Sequence, residues 1–218
     1  MFTELIDTLR CPNAHADSWL VATSARTDGR QIMEGKLGCP VCRTTFEIVD
    51  GEVLFSTTPV AAAIPTFDDD AAFRLAAQLH LIEAPQPVLL VGAWSAAGQA
   101  LRRILPHVKL LLGDAAPQRA SDDRISALRL PERGIPLATG ALRALALDST
   151  HTSPAHLTHA ARVVRTTGRI VAPASTVLDA SLWRTLASDT DVIVAERLAA
   201  SSAFVQLKRA PSKPLFTP

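Results

Sequence analysis

The sequence predicts an α/β fold in which a small β module precedes a mostly parallel sheet that ends in an antiparallel hairpin strand. From residue 68 onward, strand-sized apolar runs alternate with helical patterns, which is typical of parallel strands buried under helices on both faces. The last two predicted strands are joined only by the segment 198–202. A parallel crossover needs roughly a dozen residues or more, so this pair must be antiparallel. All three cysteines fall within the first 42 residues, which sets the N-terminal part apart in composition.

Composition limits the classes of function. The chain has 218 residues, of which 48% are hydrophobic and 20% charged, so it is too apolar to be disordered throughout. Its formal net charge of +1 removes the global electrostatic argument for a nucleic-acid binder. Apolar runs stay well below the roughly 20 residues that a membrane span needs. The first residues contain an early acid and no basic region, unlike a secretory signal. We therefore expect a cytoplasmic protein without a membrane partner.

The first predicted unit spans residues 1–58. Apolar Leu5, Ile6 and Leu9 are spaced for a short helix that leads into Cys11. Four strand-like stretches follow, at about 18–23, 35–38, 45–49 and 52–55. The proline-containing stretch 56–65 predicts a linker to the second unit.

The second predicted unit spans residues 66–210, and its elements follow in a regular order. A helix begins at the acids 68–70, and a buried strand at 87–92 ends in Gly92. The further predicted elements are a helix to about 105, strands at 108–112, 125–130 and 142–147, a helix at 153–164, a strand at 169–172, a helix at about 176–187 with Trp183 in the core, and strands at 191–197 and 203–209. This alternation predicts a parallel sheet covered by helices.

Two short cysteine motifs predict a metal site. Cys11-Pro-Asn-Ala-His15 and Cys39-Pro-Val-Cys42 are separated by 23 residues. A Cys-x2-Cys turn directs two thiolates at one ion, and a second pair from elsewhere completes a tetrahedron. The predicted structural zinc ligands are therefore Cys11, His15, Cys39 and Cys42. Asp17 is an alternative fourth ligand, and a redox or vestigial Cys-x2-Cys without metal is the alternative to a zinc site.

The residues around these motifs resemble a known family. Leu9-Arg-Cys-Pro, Gly35-Lys-Leu-Gly-Cys-Pro-Val-Cys and Phe46-Glu-Ile-Val-Asp-Gly-Glu-Val-Leu54 are similar to the zinc ribbons of methyltransferase activators. The resemblance covers about residues 1–55 and implies a metal-stabilised module that serves a methyltransferase. It departs from the family at Ala14-His15, where members usually carry a second cysteine.

Residues 85–210 resemble class I S-adenosylmethionine-dependent methyltransferases. Val88-Leu-Leu-Val-Gly92 stands where the first cofactor motif is expected, Asp114 where the ribose acid is expected, and Ala160–Val171 is similar to the segment before the fifth strand. The resemblance implies that backbone near Gly92 contacts the methionine part of the cofactor and that Asp114 binds the ribose hydroxyls. Asp148 and His151 follow the fourth strand, where this fold places substrate or catalytic groups, although Asp-Ser-Thr also ends ordinary strands.

Several departures from that family weaken the cofactor prediction. Trp94 stands in place of the second glycine, Arg143 replaces an acid at the start of the fourth strand, and Thr166-Thr167 replaces Pro-Gly. A glycine is needed where backbone must lie against a ligand, and an indole does not fit there without rearrangement. The candidate cofactor-binding residues are therefore Gly92, Trp94, Asp114 and Asp148, and the Trp94 indole decides between an intact and a blocked cleft.

The leading interpretation is a divergent methyltransferase-like protein with a structural zinc ribbon and S-adenosylmethionine as cofactor. The alternative is a non-catalytic interaction or activator module for a methyltransferase or a ribosome-linked protein partner, bound through the zinc ribbon. Nucleic acid is a third and disfavoured partner, because the net charge is near zero. The arginines at 102, 103, 162, 165 and 169 and the histidines at 156 and 159 are predicted to form solvated surface.

Overall fold

In the computed structural model of this chain, residues 1–58, 67–81, 86–115, 124–132 and 134–199 are described. Within these residues, eleven strands form one sheet. The strands are β1 (Val21–Asp28), β2 (Gln31–Gly38), β3 (Thr45–Val49), β4 (Glu52–Leu54), β5 (Val88–Val91), β6 (Leu110–Gly113), β7 (Ile125–Arg129), β8 (Leu142–Ala146), β9 (Val164–Pro173), β10 (Trp183–Ser188) and β11 (Val192–Arg197). The α-helices are α1 (Asp69–Gln78), α2 (Gly98–Ile104) and α3 (Pro154–Val163), and short 3-10 helices cover Thr3–Thr8, Gly92–Ala97 and Ser149–His151.

The strand order across the sheet is β1-β2-β3-β4-β7-β6-β5-β8-β9-β11-β10. The central strands β7, β6, β5, β8 and β9 are parallel, and the antiparallel β11 lies between β9 and β10. Both β6 and β8 flank β5, so the direction of winding reverses at that strand. Ligands of open α/β sheets bind outside the carboxyl ends of the strands at such a switch point. The mixed α/β architecture is therefore present as predicted. The predicted hairpin of strands 191–197 and 203–209 stays a prediction, because residues 203–209 lie outside the described part of the chain.

The expectation of a mostly parallel sheet is wrong. Five of the neighbouring strand pairs described are parallel and five are antiparallel. The difference arises because β1 to β4 form an antiparallel meander that continues the sheet instead of standing apart from it. The join is β4, which pairs in parallel with β7 through Val53 and Leu128.

The N-terminal segment also shares the core of the sheet. Leu5 and Leu9 are fully buried in one hydrophobic cluster with Leu128 and Leu137. The amide of Phe2 donates to the hydroxyl of the buried Ser126 on β7 at 2.9 Å. The described parts of the two predicted units therefore meet in one sheet and one core, and the division at 1–58 and 66–210 stays a prediction.

Helices α1 and α2 cover the other face of the parallel strands. Asp68 caps α1 by accepting from the amide of Ala71 at 2.7 Å, as its acidic start predicts. Leu75 of α1 and Leu101 of α2 are buried with Leu90 of β5 in a second hydrophobic cluster. Strands buried on both faces are what their unbroken apolar sequences predict. Of the helices in the described ranges, none has the length and hydropathy of a membrane span.

The predicted helix at 176–187 is wrong. Residues 183–188 form β10, which pairs with β11. Asp179 accepts from both the amide and the hydroxyl of Ser181, and this local turn ends any helix there. Trp183 is buried as predicted, but from a strand. The hairpin partner of β11 is β10, and the strand predicted at 203–209 lies outside the described residues.

Candidate metal centre and cofactor cleft

Three thiols and one imidazole converge where β2 and β3 meet the N-terminal segment. The ligand atoms of Cys11, His15, Cys39 and Cys42 all lie within 4.8 Å of one another. Cys11 Sγ is 3.7 Å from Cys42 Sγ, and Cys39 Sγ is 3.4 Å from His15 Nε2. Tetrahedral zinc with Zn–S of about 2.3 Å and Zn–N of about 2.0 Å requires edges of about 3.8 and 3.5 Å. The donor set and its spacing therefore fit one such ion.

Local backbone geometry holds the ligands in place. The amide of Cys11 donates to Ser18 O at 3.0 Å, which closes the loop that carries His15. The amide of Arg43 donates to Cys39 O at 2.9 Å, and Arg43 has a φ of 60°. This tight turn brings Cys42 back toward Cys39, as the Cys-x2-Cys spacing predicts.

The histidine occupies the fourth position of the cluster. His15 Nδ1 lies 2.6 Å from Ala16 O, so the proton sits on Nδ1 and the Nε2 lone pair faces the thiols. Such a second hydrogen bond fixes tautomer and ring orientation in metal-ligating histidines. Asp17, the alternative ligand, instead pairs with Arg10 at 3.3 Å. The structure thus brings His15 rather than Asp17 to the three cysteines.

The cysteines differ in their electrostatic surroundings. Hydrogen bonds from Thr44 and from Asn13 lower the pKa of the Cys42 thiol to about 5. Burial and the neighbouring thiols raise the pKa of the Cys11 thiol to about 12. Cys42 is therefore a thiolate at neutral pH, and a cation at the centre would also favour ionisation of Cys11. Sequence reasoning missed Asn13 and Thr44, because a hydrogen bond to sulfur leaves no pattern in one sequence.

At the other candidate site, the turn after β5 already holds a carboxylate. Gly92 has a φ of 61°, and a Cβ built on it would lie 1.9 Å from Asp148 Oδ2. The same oxygen accepts from the amide of Ala93 at 2.8 Å. The amides of a turn at this place are the groups that would face a bound cofactor. In this structure at least one of these amides, that of Ala93, already donates a hydrogen bond within the chain.

A charged bridge links Asp148 to the predicted ribose acid. His151 donates from Nδ1 to Asp148 at 2.7 Å and from Nε2 to Asp114 at 3.0 Å. The side chains of the three residues are only 14–18% exposed. The other oxygen of Asp114 accepts from the amide of Leu130 at 2.9 Å, and Asp114 has a φ of 49°. We call Asp114, His151 and Asp148 the carboxyl-edge bridge.

The bridge shifts the titration of His151 and Asp148. Burial opposes charge on His151, but the hydrogen bonds with Asp114 and Asp148 outweigh it and raise the pKa of His151 to about 9. Burial also opposes charge on Asp148, yet His151, the Ala93 amide and Thr150 hold the pKa of that carboxyl well below its ordinary value. At neutral pH His151 is therefore an imidazolium that donates to the Asp148 carboxylate.

His156 lies against the bridge and not on the surface. Its ring packs edge-on to His151 at 5.4 Å between centroids, and the residue is 7% exposed. The expectation of an exposed His156 is therefore wrong. Burial and the nearby charge of His151 lower the pKa of His156, so it stays neutral beside the charged ring.

The Trp94 indole lies at the switch point of the sheet. Its indole Nε1 donates to Leu147 O at 3.1 Å, directly after β8, although the residue itself follows β5. The ring also packs against Phe67 at 5.7 Å between centroids. The indole therefore spans the carboxyl ends of the two strands between which an α/β sheet binds ligands.

The structure brings all four residues predicted to bind a cofactor together at one edge of the sheet. Gly92, Asp148 and Asp114 are connected through His151, and Trp94 lies beside them. The contact between Asp114 and His151 joins residues 37 positions apart in sequence, and no local signal predicts it.

No protein-family model and no curated protein matches the chain. Among solved structures, it is similar to geranyl diphosphate C-methyltransferase from Streptomyces coelicolor A3(2), with a TM-score of 0.40, 15% identity, and 47% of this chain and 42% of that chain covered. A putative sarcosine dimethylglycine methyltransferase from Galdieria sulphuraria has a TM-score of 0.37, 17% identity, and coverage of 48% and 45%. A putative methyltransferase from Bacillus halodurans has a TM-score of 0.36, 14% identity, and coverage of 48% and 49%.

The chain thus spans less than half the length of each of these three proteins. Likenesses at such scores carry no argument about the activity of this chain. The fold and the two sites define a mixed α/β sheet with a cysteine–histidine cluster at one end and the carboxyl-edge bridge at the ends of its central strands.

Proposed function

We propose that this protein is a zinc-stabilised, methyltransferase-like scaffold that binds a protein partner and does not itself transfer a methyl group. The observation that carries the proposal is Asp148, whose carboxylate fills the Gly92 turn and accepts from the Ala93 amide. A cofactor carboxylate or ribose would have to displace this contact and the His151 hydrogen bonds. The chain's own side chains therefore compete with a ligand for the same groups.

The cysteine–histidine cluster supports a structural role for zinc. Four protein ligands leave no open coordination position, so a bound ion would cross-link the N-terminal segment to the turn between β2 and β3 and supply no catalysis. The hydrogen bond from His15 Nδ1 to Ala16 O orients the ring for this role. We also propose that residues 1–58 form a zinc ribbon.

A second candidate function is S-adenosylmethionine-dependent methyl transfer. It is favoured by the positive φ of Gly92 and by the position of Asp114 directly after β6. For this function the carboxyl-edge bridge must open, and the Trp94 indole must leave the carbonyl of Leu147. The acceptor of the methyl group is not indicated by any residue described.

The proposed partner is a protein that binds beside the metal cluster, in the cytoplasm. Val41 lies between Cys39 and Cys42 and is largely exposed, as are Trp19 and Val21. Val21 pairs with Gly38, next to Cys39, so these apolar side chains belong to the same end of the sheet. Exposed apolar residues near a rigid cluster favour a protein contact over a nucleic-acid contact, which needs cationic groups.

The zinc proposal is tested by metal content. We expect about one zinc per chain in the purified protein, and His15→Ala should lower both zinc retention during dialysis against a chelator and the melting temperature. The matched control is Asp17→Ala, which removes the neighbouring alternative ligand and should keep the full zinc content. Full zinc retention in His15→Ala with loss in Asp17→Ala would refute the assignment.

The absence of methyl transfer is tested by calorimetric titration of the zinc-loaded protein with S-adenosylhomocysteine. We expect no saturable heat at millimolar ligand, because the bridge holds the turn and the ribose acid. Asp148→Ala is the informative variant, since it empties the Gly92 turn without adding bulk. Micromolar binding by the unaltered protein would overturn the scaffold proposal in favour of the transferase.

A further inference from the structure

Three arginines meet at the edge of the sheet opposite the carboxyl-edge bridge. Arg143 lies at the start of β8, and Arg165 and Arg169 lie on β9. The pairing of β8 with β9 runs from Leu142 opposite Val164 directly to Ala144 opposite Arg169, so residues 165–168 bulge out of register against a single residue of β8. This bulge gathers the three side chains at the amino-terminal edge of the strands. We call Arg143, Arg165 and Arg169 the arginine cluster.

Within the described ranges, the cluster's hydrogen-bond partners are carbonyl oxygens and the His80 ring. Arg169 donates to Ala77 O and Gln78 O at 3.3 and 3.2 Å. Arg143 approaches His80 O and Nδ1 at 3.5 Å, and Arg165 donates to Gln86 Oε1 at 3.2 Å. The three side chains are half-buried, contrary to the expectation that Arg165 and Arg169 are solvated surface.

Among the described residues, no carboxylate forms an ion pair with the cluster. Glu196 lies opposite Arg169 in the pairing of β9 with β11, but its carboxylate binds Arg184 at 2.8 Å. The Nε atoms of Arg165 and Arg169 are buried without a hydrogen-bond partner. Two buried N–H donors in this cationic environment thus have no acceptor among the residues that the structure describes.

The end of α1 explains only part of this arrangement. Carbonyls at a helix C-terminus attract cations with the equivalent of about half an elementary charge. Three guanidinium groups exceed that, and burial together with Arg165 and Arg169 lowers the pKa of Arg143. A helix cap would need one arginine, and the remaining positive charge and the two orphaned Nε donors require another acceptor.

We propose that the arginine cluster binds a phosphate-type oxyanion carried by a small ligand. Guanidinium groups bind phosphate oxygens through charge-assisted hydrogen bonds, and the three half-buried side chains bring such donors together at one edge of the sheet. A small ligand is favoured over nucleic acid because the cluster is confined to one strand pair and the chain's net charge is +1. The site is separate from the metal cluster and the bridge, so it does not depend on the proposed function.

The test is titration of the zinc-loaded full chain with inorganic phosphate, followed by calorimetry and melting temperature, with chloride at equal ionic strength as the reference. We expect saturable binding of one phosphate per chain and a rise in melting temperature that chloride does not give. Pyrophosphate and a mononucleotide then distinguish a free phosphate from a phosphate on a larger ligand.

Arg165→Gln should weaken phosphate binding by about tenfold or more, since it removes the charge and the guanidinium donors together. Arg165→Lys keeps the charge and should bind at intermediate affinity, and it serves if the glutamine variant does not fold. Arg26→Gln is the matched control, because Arg26 is exposed and already paired with Glu34. The proposal is overturned if phosphate behaves like chloride, if Arg165→Gln binds as well as the unaltered chain, or if single-stranded RNA binds through the cluster while phosphate and the mononucleotide do not.

Discussion

The His151 side chain holds two carboxyl groups that the sequence assigns to a cofactor site in a hydrogen-bonded arrangement within the protein. Asp114 and Asp148 end different strands, and two buried carboxylates at this edge would repel each other without a cation between them. The imidazolium of His151 supplies that charge and donates a hydrogen bond to each. Removing one member of such a buried arrangement leaves an uncompensated charge, which is more costly than removing the whole set.

The bridge makes stability depend on pH in a defined direction. The pKa of His151 rises from 6.5 to about 9 on folding, so its contribution is fully present below pH 6.5 and is lost as the pH rises through 9. The pKa of Asp148 is depressed on folding, so its contribution is present above its ordinary value of 3.8 and is lost as the pH falls below that. The bridge is therefore most stabilising between these limits.

We expect His151→Gln to lower the free energy of unfolding at pH 6 by about 2 kcal/mol, because two partly buried carboxylates lose their cation. The effect should shrink as the pH approaches 9, where the unaltered protein also loses the charge. Urea unfolding at several pH values measures this. His107→Gln, an exposed histidine, is the control, and an equal loss at pH 6 and at pH 9.5, about half a unit above the shifted pKa, would contradict the charged bridge.

At the scale of the element, the 3-10 helix Gly92–Ala97 replaces an open glycine-rich turn. It starts directly at the end of β5 and passes into α2 at Gly98 without a break. Gly92 tolerates the left-handed φ there, and its missing Cβ leaves the space that Asp148 fills. Gly92 thus makes room for the carboxylate of Asp148, although the sequence pattern alone indicates a turn that binds a cofactor.

Gly92→Ala tests this packing. We expect a loss of about 3 kcal/mol or more, because the φ strain adds to a methyl group that overlaps Asp148. Gly29→Ala is the matched control: its φ of 54° is similar, but a Cβ there meets nothing within 4 Å, so only the backbone strain of about 1 kcal/mol should appear. Thermal melts of both variants give the comparison.

The double variant Gly92→Ala with Asp148→Ala separates overlap from strain. Removing the carboxylate frees the space for the new methyl group, so the double variant should be more stable than the sum of the two single losses implies. Additive losses would show that Asp148 does not occupy the turn.

Element β10 shows a limit of prediction from local pattern. Leu178, Trp183 and Leu186 are spaced as on one face of a helix, which is why a helix was predicted. The segment is a strand because β11 offers it an unpaired edge and because the Asp179 turn stops a helix. The free edge of β11 is not visible within the segment's own residues, whereas the Asp179 turn is local and competes there with the helical spacing.

At the scale of the whole molecule, the cysteine–histidine cluster and the parallel strands belong to one sheet. The pairing of β4 with β7 and the buried contact of Phe2 with Ser126 tie residues 1–58 to the rest. A substitution that destabilises the N-terminal segment should therefore also destabilise the strands that carry the bridge.

Removal of zinc should lower the melting temperature of the whole protein in a single transition. Single-tryptophan variants that keep either Trp19, near the cluster, or Trp183, at the far edge, report the two ends by fluorescence. We expect their transitions to coincide before and after treatment with a chelator, because the core is shared. The calcium-saturated chelator is the control, and a Trp183 transition unaffected by zinc loss would show that the metal stabilises only its own module.

The amino-acid sequence by itself predicted several elements of this fold and the members of the cysteine–histidine cluster. Unbroken apolar runs gave the buried strands, the acids at 68–70 the start of α1, and the cysteine and histidine spacing the four groups that converge, because each of these depends on local geometry and composition. The continuation of strands β1 to β4 into the main sheet, the identity of β10, the bridge through His151 and the arginine cluster were decided by tertiary structure. They join residues far apart in the chain, and a contact of that kind depends on where the backbone places both partners, not on the pattern around either one.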